Sequence, residues 1–129
     1  MPHFSIEYSR NLESLVDIAG LCDALRAAGI ETGVFPMAGI RVRAFACDHY
    51  SIADGQPDRA FIDLSVRLRG GRTLEVRKAA TQAIFQTAET FLSEVMDKHP
   101  IALSMEMRDI DPDLSPKLNS IRKFLSGEG

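Results

Sequence analysis

FIDLSVRLRGGRTLEVRKAATQAIFQTAETFLSEVMDKHPIALSMEMR, residues 61–108, reads as a strand, a long helix and a second strand. Ile62, Leu64, Val66 and Leu68 alternate with Phe61, Asp63, Ser65 and Arg67, the period of two that sorts a strand's side chains onto opposite faces. Gly70-Gly71 then turns the chain into a helix predicted over roughly Thr73 to Lys98. Its stripe of Val76, Ala80, Ala83, Ile84, Phe91, Leu92, Val95 and Met96 is wide enough to lie on a sheet. Pro100 closes that helix, and Ile101, Leu103, Met105 and Met107 alternate with Ala102, Ser104, Glu106 and Arg108 in the next strand.

The same order precedes it. Phe4, Ile6 and Tyr8 alternate with His3, Ser5 and Glu7 in an opening strand. A helix starting between Asn11 and Asp17 shows one apolar face of Ile18, Leu21, Cys22 and Leu25, and Gly29 or Gly33 ends it before Phe35-Pro36. Residues from Ile40 to Cys47 form a second strand, and Asp54-Gly55-Gln56-Pro57-Asp58 punctuates the chain. Residues 1–129 therefore read as one domain of two βαβ units, about 2–50 and about 59–109. Segment 110–129 follows, with an apolar cluster of Leu118, Ile121, Phe124 and Leu125. The fold class is α/β, an α+β sandwich: right-handed crossovers and parallel pairs build one four-stranded sheet with both helices on one face. The other face is left open, and its partly apolar residues, such as Phe61, predict that oligomerisation covers it.

Fifteen Lys and Arg against eighteen Asp and Glu give a net charge of −3, which excludes a protein built chiefly to neutralise nucleic-acid phosphates. The cations still cluster in mid-chain, at Arg41, Arg43, Arg67, Arg69, Arg72, Arg77 and Lys78, a pattern suited to a small anionic ligand. Cys22 and Cys47 lack any redox or zinc spacing and read as reduced core thiols. With no signal-peptide pattern and no apolar run near the ~20 residues a membrane helix needs, a cytoplasmic protein that engages no membrane is expected. His3, His49 and His99 are scattered, so no metal site is expected, and there is no nucleophile elbow, phosphate loop or dinucleotide fingerprint.

Two candidates for chemistry remain. Pro2 becomes a secondary amine at the chain terminus once Met1 is trimmed, and burial or nearby cations lower such an amine's pKa toward that of a usable general base. Arg41 opens the second strand, directly after the Phe35-to-Gly39 turn. Arg72 sits between a glycine pair and a helix N-terminus, where backbone N–H groups already favour an anion.

Several segments together carry a resemblance: Met1-Pro2-His3-Phe4; Gly33-x-Phe35-Pro36-x-Ala38-Gly39-Ile40-Arg41-x-Arg43; Ala53-Asp54-Gly55-Gln56-x-Asp58-x-Ala60-Phe61; Gly71-Arg72-x-Leu74-Glu75-x-Arg77; and Ala102-Leu103-Ser104-x-Glu106. Nearly the whole chain is covered. The sequence resembles the 5-carboxymethyl-2-hydroxymuconate delta-isomerases of the tautomerase superfamily. The resemblance implies a cofactor-independent homotrimer acting on a small dicarboxylate or tricarboxylate in the breakdown of homoprotocatechuate, which derives from 4-hydroxyphenylacetate. It implies Pro2 as the proton shuttle, with Arg41 and Arg72 binding carboxylates and stabilising developing charge. His3, Phe4, Phe35 and Arg43 are expected around the substrate, the two phenylalanines as water-excluding walls. Short tautomerases carry a further arginine early in the first helix; here the nearest is Arg10, before the helix, and that role is not transferred. The alternatives are another superfamily reaction on an unsaturated acid, hydration or dehalogenation, and a non-catalytic oligomeric carboxylate-binding module.

Overall fold

The structure is a computed structural model and describes residues 1–125; residues 126–129 of the expected C-terminal segment lie outside the described residues. Along the chain come β1 (His3–Ser9), α1 (Ile18–Glu31), β2 (Arg41–Cys47), β3 (Ala60–Arg69), α2 (Leu74–Lys98) and β4 (Ile101–Ile110), in the expected order. Both helices start where a side chain satisfies an otherwise free backbone donor. Asp17 accepts from Gly20 N at 2.9 Å, and Thr73 accepts from Val76 N at 3.2 Å. Gly33, at φ +74°, adopts the left-handed turn that carries the chain out of α1.

The sheet order is β2-β1-β3-β4. Within each unit the strands pair in parallel, β1 with β2 and β3 with β4, while β1 and β3 join the units antiparallel, with His3 opposite Arg67. As a result the starts of β1 and β2 lie at the same end of the sheet as the finishes of β3 and β4. The loops that leave α1 and enter α2 come to that end too.

On the helix-covered face, Phe4, Ile6, Ile62, Leu64, Val66 and Leu68 meet Leu21 and Leu25 of α1 and Ala80, Ile84, Ala88 and Leu92 of α2, all buried. Each large aliphatic side chain sealed this way contributes about 1.5–3 kcal/mol. The α2 contact is narrower than the sequence suggests. Its buried line runs at strict four-residue steps and includes Ala88, whereas Ala83 and Phe91 are exposed because each sits one residue, about 100°, off that line. Val76, at the exposed start of the helix, is also left out.

The open face is partly apolar, as expected, with Phe45 54% exposed, and it carries four cross-strand rows read directly from the register. The first is Arg41, His3, Arg67 and Arg108. The second is Arg43, Ser5, Ser65 and Glu106, and the third Phe45, Glu7, Asp63 and Ser104. Phe61 lies in the last row, half-buried against Tyr50 with ring centroids 6.4 Å apart. Charge therefore passes from cationic to acidic along the strands, with the apolar residues Phe45 and Phe61 at the far end.

Gly29 sets how closely α1 approaches the sheet, since a Cβ there would stand 2.6 Å from Ile40 Cδ1 and 3.0 Å from Phe4 Cζ. Helix propensity alone makes Gly29→Ala stabilising by about 1 kcal/mol, but overpacking against the Phe4 ring costs about 1–3 kcal/mol. The denaturant midpoint of Gly29→Ala is expected to fall; a rise would show that α1 shifts freely.

Candidate active site

Pro2 prolongs the central strand β1 at the end where the loops converge. It is buried, and its carbonyl accepts from Arg41 N at 3.2 Å, which locks the first residues to β2. Gly39 lies against it: a Cβ on Gly39 would be 3.3 Å from Pro2 Cδ, tight enough that any side chain there presses on the proline. Met1 is half-buried and lines two hollows of about 180 and 230 Å³. Arg69, Ile110 and residues 112 and 115–117 complete the first, and Pro36, Gly39, Lys117, Leu118, Asn119 and Arg122 the second. Met1 and Lys117 are the residues common to both.

Cations gather here, and most of them are not ion-paired. Among the described residues, Arg41, Arg43, Arg67, Arg69, Arg72 and Lys117 form no ion pair, whereas Arg10, Arg59, Arg77 and Arg108 each find an acidic partner. Burial, then the charges of Lys117, Arg41, Arg72 and Arg69, hold the amino group of Met1 below its ordinary value. Arg72 is fixed by its own donors: Nη1 to the Arg69 carbonyl at 3.0 Å and Nη2 to the Val34 carbonyl at 2.9 Å. That clamp ties the entry of α2 to the exit of α1.

His3 and Arg43 lie on the open face. Arg43 Nη1 donates to His3 Nδ1 at 3.1 Å, while Arg41 Nη1 approaches His3 Nε2 at 3.4 Å. A guanidinium only donates and a neutral imidazole has one acceptor nitrogen, so the shorter contact is the hydrogen bond. Burial and the surrounding Arg67, Arg43 and Arg41 push the His3 pKa down to about 4.

The structure thus gathers Pro2, Arg41, Arg72, His3 and Arg43 at one end of the sheet. Phe4 and Phe35 are a different matter. Both point into the core, packed edge-to-face at 5.4 Å; like Pro2, Arg41, Arg72, His3 and Arg43, they line neither hollow. Phe4 has the inward parity of Ile6, so it backs the site from behind. Sequence reading passed over Lys117 as a site residue, and Arg69 received no role beyond the general cluster. The cation run containing Arg69 was visible, but nothing in periodicity says that residues 112–122 fold back over the amino terminus.

A wider groove of about 350 Å³ lies between Leu15–Asp17 and Phe91–His99, but its Lys98 is already paired with Glu94 and no cations converge on it. Among the described residues no three His, Cys, Asp or Glu side chains are grouped as metal ligands, and no helix is long and apolar enough to cross a membrane.

Two parallel βαβ units are thus joined antiparallel, with the amino terminus among cations at the convergent end. The 5-carboxymethyl-2-hydroxymuconate isomerase family matches residues 2–125. The 5-carboxymethyl-2-hydroxymuconate Delta-isomerase of Escherichia coli is 36% identical over 121 residues, covering 94% of this chain and 96% of that protein. A solved 5-carboxymethyl-2-hydroxymuconate delta-isomerase superposes with a TM-score of 0.90 at 29% identity, covering 100% of this chain and 96% of its own. The 5-carboxymethyl-2-hydroxymuconate isomerase of Deinococcus radiodurans R1 gives 0.86 at 30% identity, with 93% and 90% covered. The chain belongs to the 5-carboxymethyl-2-hydroxymuconate isomerase family.

The His3 environment has a measurable signature. In the unfolded chain the imidazole titrates near 6.5, and in the folded one near 4, so between those values the unfolded state binds more protons. Stability present above pH 6.5 is therefore expected to drain away as pH falls toward 4. NMR titration of the His3 ring should find its midpoint well below 6, and His3→Gln should flatten this part of the stability profile. A midpoint near 6.5 would mean that the arginine row does not act on it.

Proposed function

We propose that this chain is a cofactor-independent isomerase that converts 5-carboxymethyl-2-hydroxymuconate to its 2-oxo isomer, with Pro2 as the proton-transfer base. The observation that carries the reading is the amino terminus itself, part-buried among Arg41, Arg69, Arg72 and Lys117, none of which is ion-paired among the described residues. With Met1 present the Pro2 nitrogen is an amide and has no basic lone pair. Removal of Met1 moves the terminal amine to Pro2, takes away a wall common to both hollows, and leaves the same cations facing a secondary amine.

The chemistry needs little else. The 2-hydroxyl loses its proton, the conjugated double bonds shift so that C2 becomes a carbonyl, and the far end of the conjugated system takes a proton at C5. Atoms and electrons balance with no external oxidant or reductant. Pro2 accepts and returns the proton; Arg41 and Arg72 hold carboxylates and stabilise the negative charge that builds on the 2-oxygen. His3, neutral and held by Arg43, and Arg43 itself lie next to this charge, and Phe4 and Phe35 form a dry backing that strengthens it. The place of this step is the breakdown of homoprotocatechuate, in the cytoplasm.

Self-association as a homotrimer fits the same reading. A more distant solved structure of the fold, at 17% identity and a TM-score of 0.62, is a symmetric trimer. The open face carries cationic and acidic rows that copies of the chain can set against one another, and Leu118 and Phe124 stand 99% and 75% exposed. Sedimentation should give three times the 14.2 kDa chain mass; a monomer at micromolar concentration would refute the assembly.

The deciding assay follows ketonisation by ultraviolet absorbance, using protein whose intact mass confirms that Met1 is gone. Pro2→Ala is expected to lower kcat by about 10²–10⁴, the usual share of a positioned base. Arg41→Ala or Arg72→Ala should cost about 10²–10³, as when one charge-stabilising donor is removed, with folding intact by circular dichroism. Wild-type rates in all three would sink the mechanism. Absence of turnover with a free Pro2 would favour hydration, dehalogenation or a carboxylate-binding module.

A further inference from the structure

The segment after β4 is a pinned strap. The Asp111 side chain accepts from Asp113 N at 2.9 Å, and its carbonyl accepts from Ser115 Oγ at 2.6 Å, turning the chain back at the end of the sheet. Further on, Asn119 Nδ2 donates to the Ala38 carbonyl at 2.8 Å while its Oδ1 accepts from Ile121 N at 2.8 Å. The strap is thereby tied to the Met37–Gly39 turn that touches Pro2. Between the two anchors stands Lys117, exposed, lining both hollows and free of any ion pair among the described residues.

We propose that Lys117 binds one carboxylate of the substrate, and that Asn119 is the positioning residue that holds it over Pro2. The inference rests on the isomerase reading for the identity of the substrate, and charge counting supports it. Muconate has two carboxylates and the carboxymethyl group adds a third, while Arg41 and Arg72 account for two. Arg72 has donors on both terminal nitrogens committed to backbone carbonyls, so it has little freedom to follow a second anionic group. Arg69 borders one hollow; Lys117 borders both, and its flexible stem and compact ammonium suit a carboxylate on a rotatable methylene. A cation at this position also opposes protonation of the terminal amine, which adds to its binding role.

The test uses Met-free wild type, Lys117→Met, Lys117→Arg and Asn119→Ala, each checked for folding and assembly. Two measurements are made: steady-state kinetics on 5-carboxymethyl-2-hydroxymuconate, and calorimetric binding of propane-1,2,3-tricarboxylate, which cannot react. Lys117→Met is expected to raise KM about tenfold, more than it lowers kcat, to weaken tricarboxylate binding about tenfold, and to move the acidic limb of kcat/KM to higher pH. Lys117→Arg should recover most of the loss, and Asn119→Ala should reproduce part of the KM effect. Running 2-hydroxymuconate beside the full substrate locates the contact: an effect confined to the three-carboxylate compound assigns Lys117 to the carboxymethyl group, and an equal effect on both assigns it to the muconate backbone. Wild-type KM, binding and pH limb in Lys117→Met would overturn the proposal, as would equal losses in the Met and Arg variants. If the wild type binds tricarboxylate through Lys117 yet turns nothing over, the isomerase reading fails and the Lys117 site stands.

Discussion

Everything at the convergent end depends on β1 being hydrogen-bonded on both sides. The first strand of the chain lies in the middle of the sheet, parallel to β2 and antiparallel to β3. A chain terminus ordinarily frays, because few contacts hold its last residues. Here the bond from Arg41 N to the Pro2 carbonyl extends the ladder to Pro2. The antiparallel join then sends the end of β3, the start of α2 and the strap to the same place.

The cations gathered there oppose one another, and few acids relieve them. Arg41, His3, Arg67 and Arg108 form one cross-strand row, and like charges directly opposite each other in a sheet are destabilising. His3 yields by staying neutral. The acidic residues Glu7 and Asp63 sit two rows away, and Asp109, nearer by, is engaged by Arg77. A fold selected for stability alone would intersperse them, so this layered charge is a cost borne by the body of the protein, whose core is fully apolar on the helix side. An anionic substrate relieves that repulsion by occupying the site, which gives binding a favourable term beyond its direct contacts.

The architecture was largely legible because local patterns determine it. Alternation marked all four strands, and Asp17, Gly33 and Thr73 sit at or beside the helix ends that sequence reading placed. The antiparallel join was not legible, since it pairs residues from different units and leaves no local trace. Phe61 marks the apolar part of the open face, whereas the row of Arg41, Arg67 and Arg108 emerges only when the outward positions of all four strands are aligned by register. Phe4 and Phe35 were assigned to the substrate by resemblance, although Phe4 shares the inward parity of Ile6 and Tyr8. Lys117 escaped because its position depends on one side-chain bond, Asn119 to Ala38, across 81 residues of sequence.

Met1 lies part-buried between that strap and the Pro36–Gly39 turn, which bears on when the terminus can mature. An aminopeptidase needs an extended end that it can draw into its own cleft. On the ribosome residues 1–9 emerge long before β3, β4 and the strap exist, and during that interval the end is free. Once β1 is paired on both sides and the strap is laid down, the methionine is half-buried against the finished fold. Removal of Met1, which the proposed role of Pro2 requires, therefore competes in time with folding, and the order in which the chain is made gives removal the earlier opportunity.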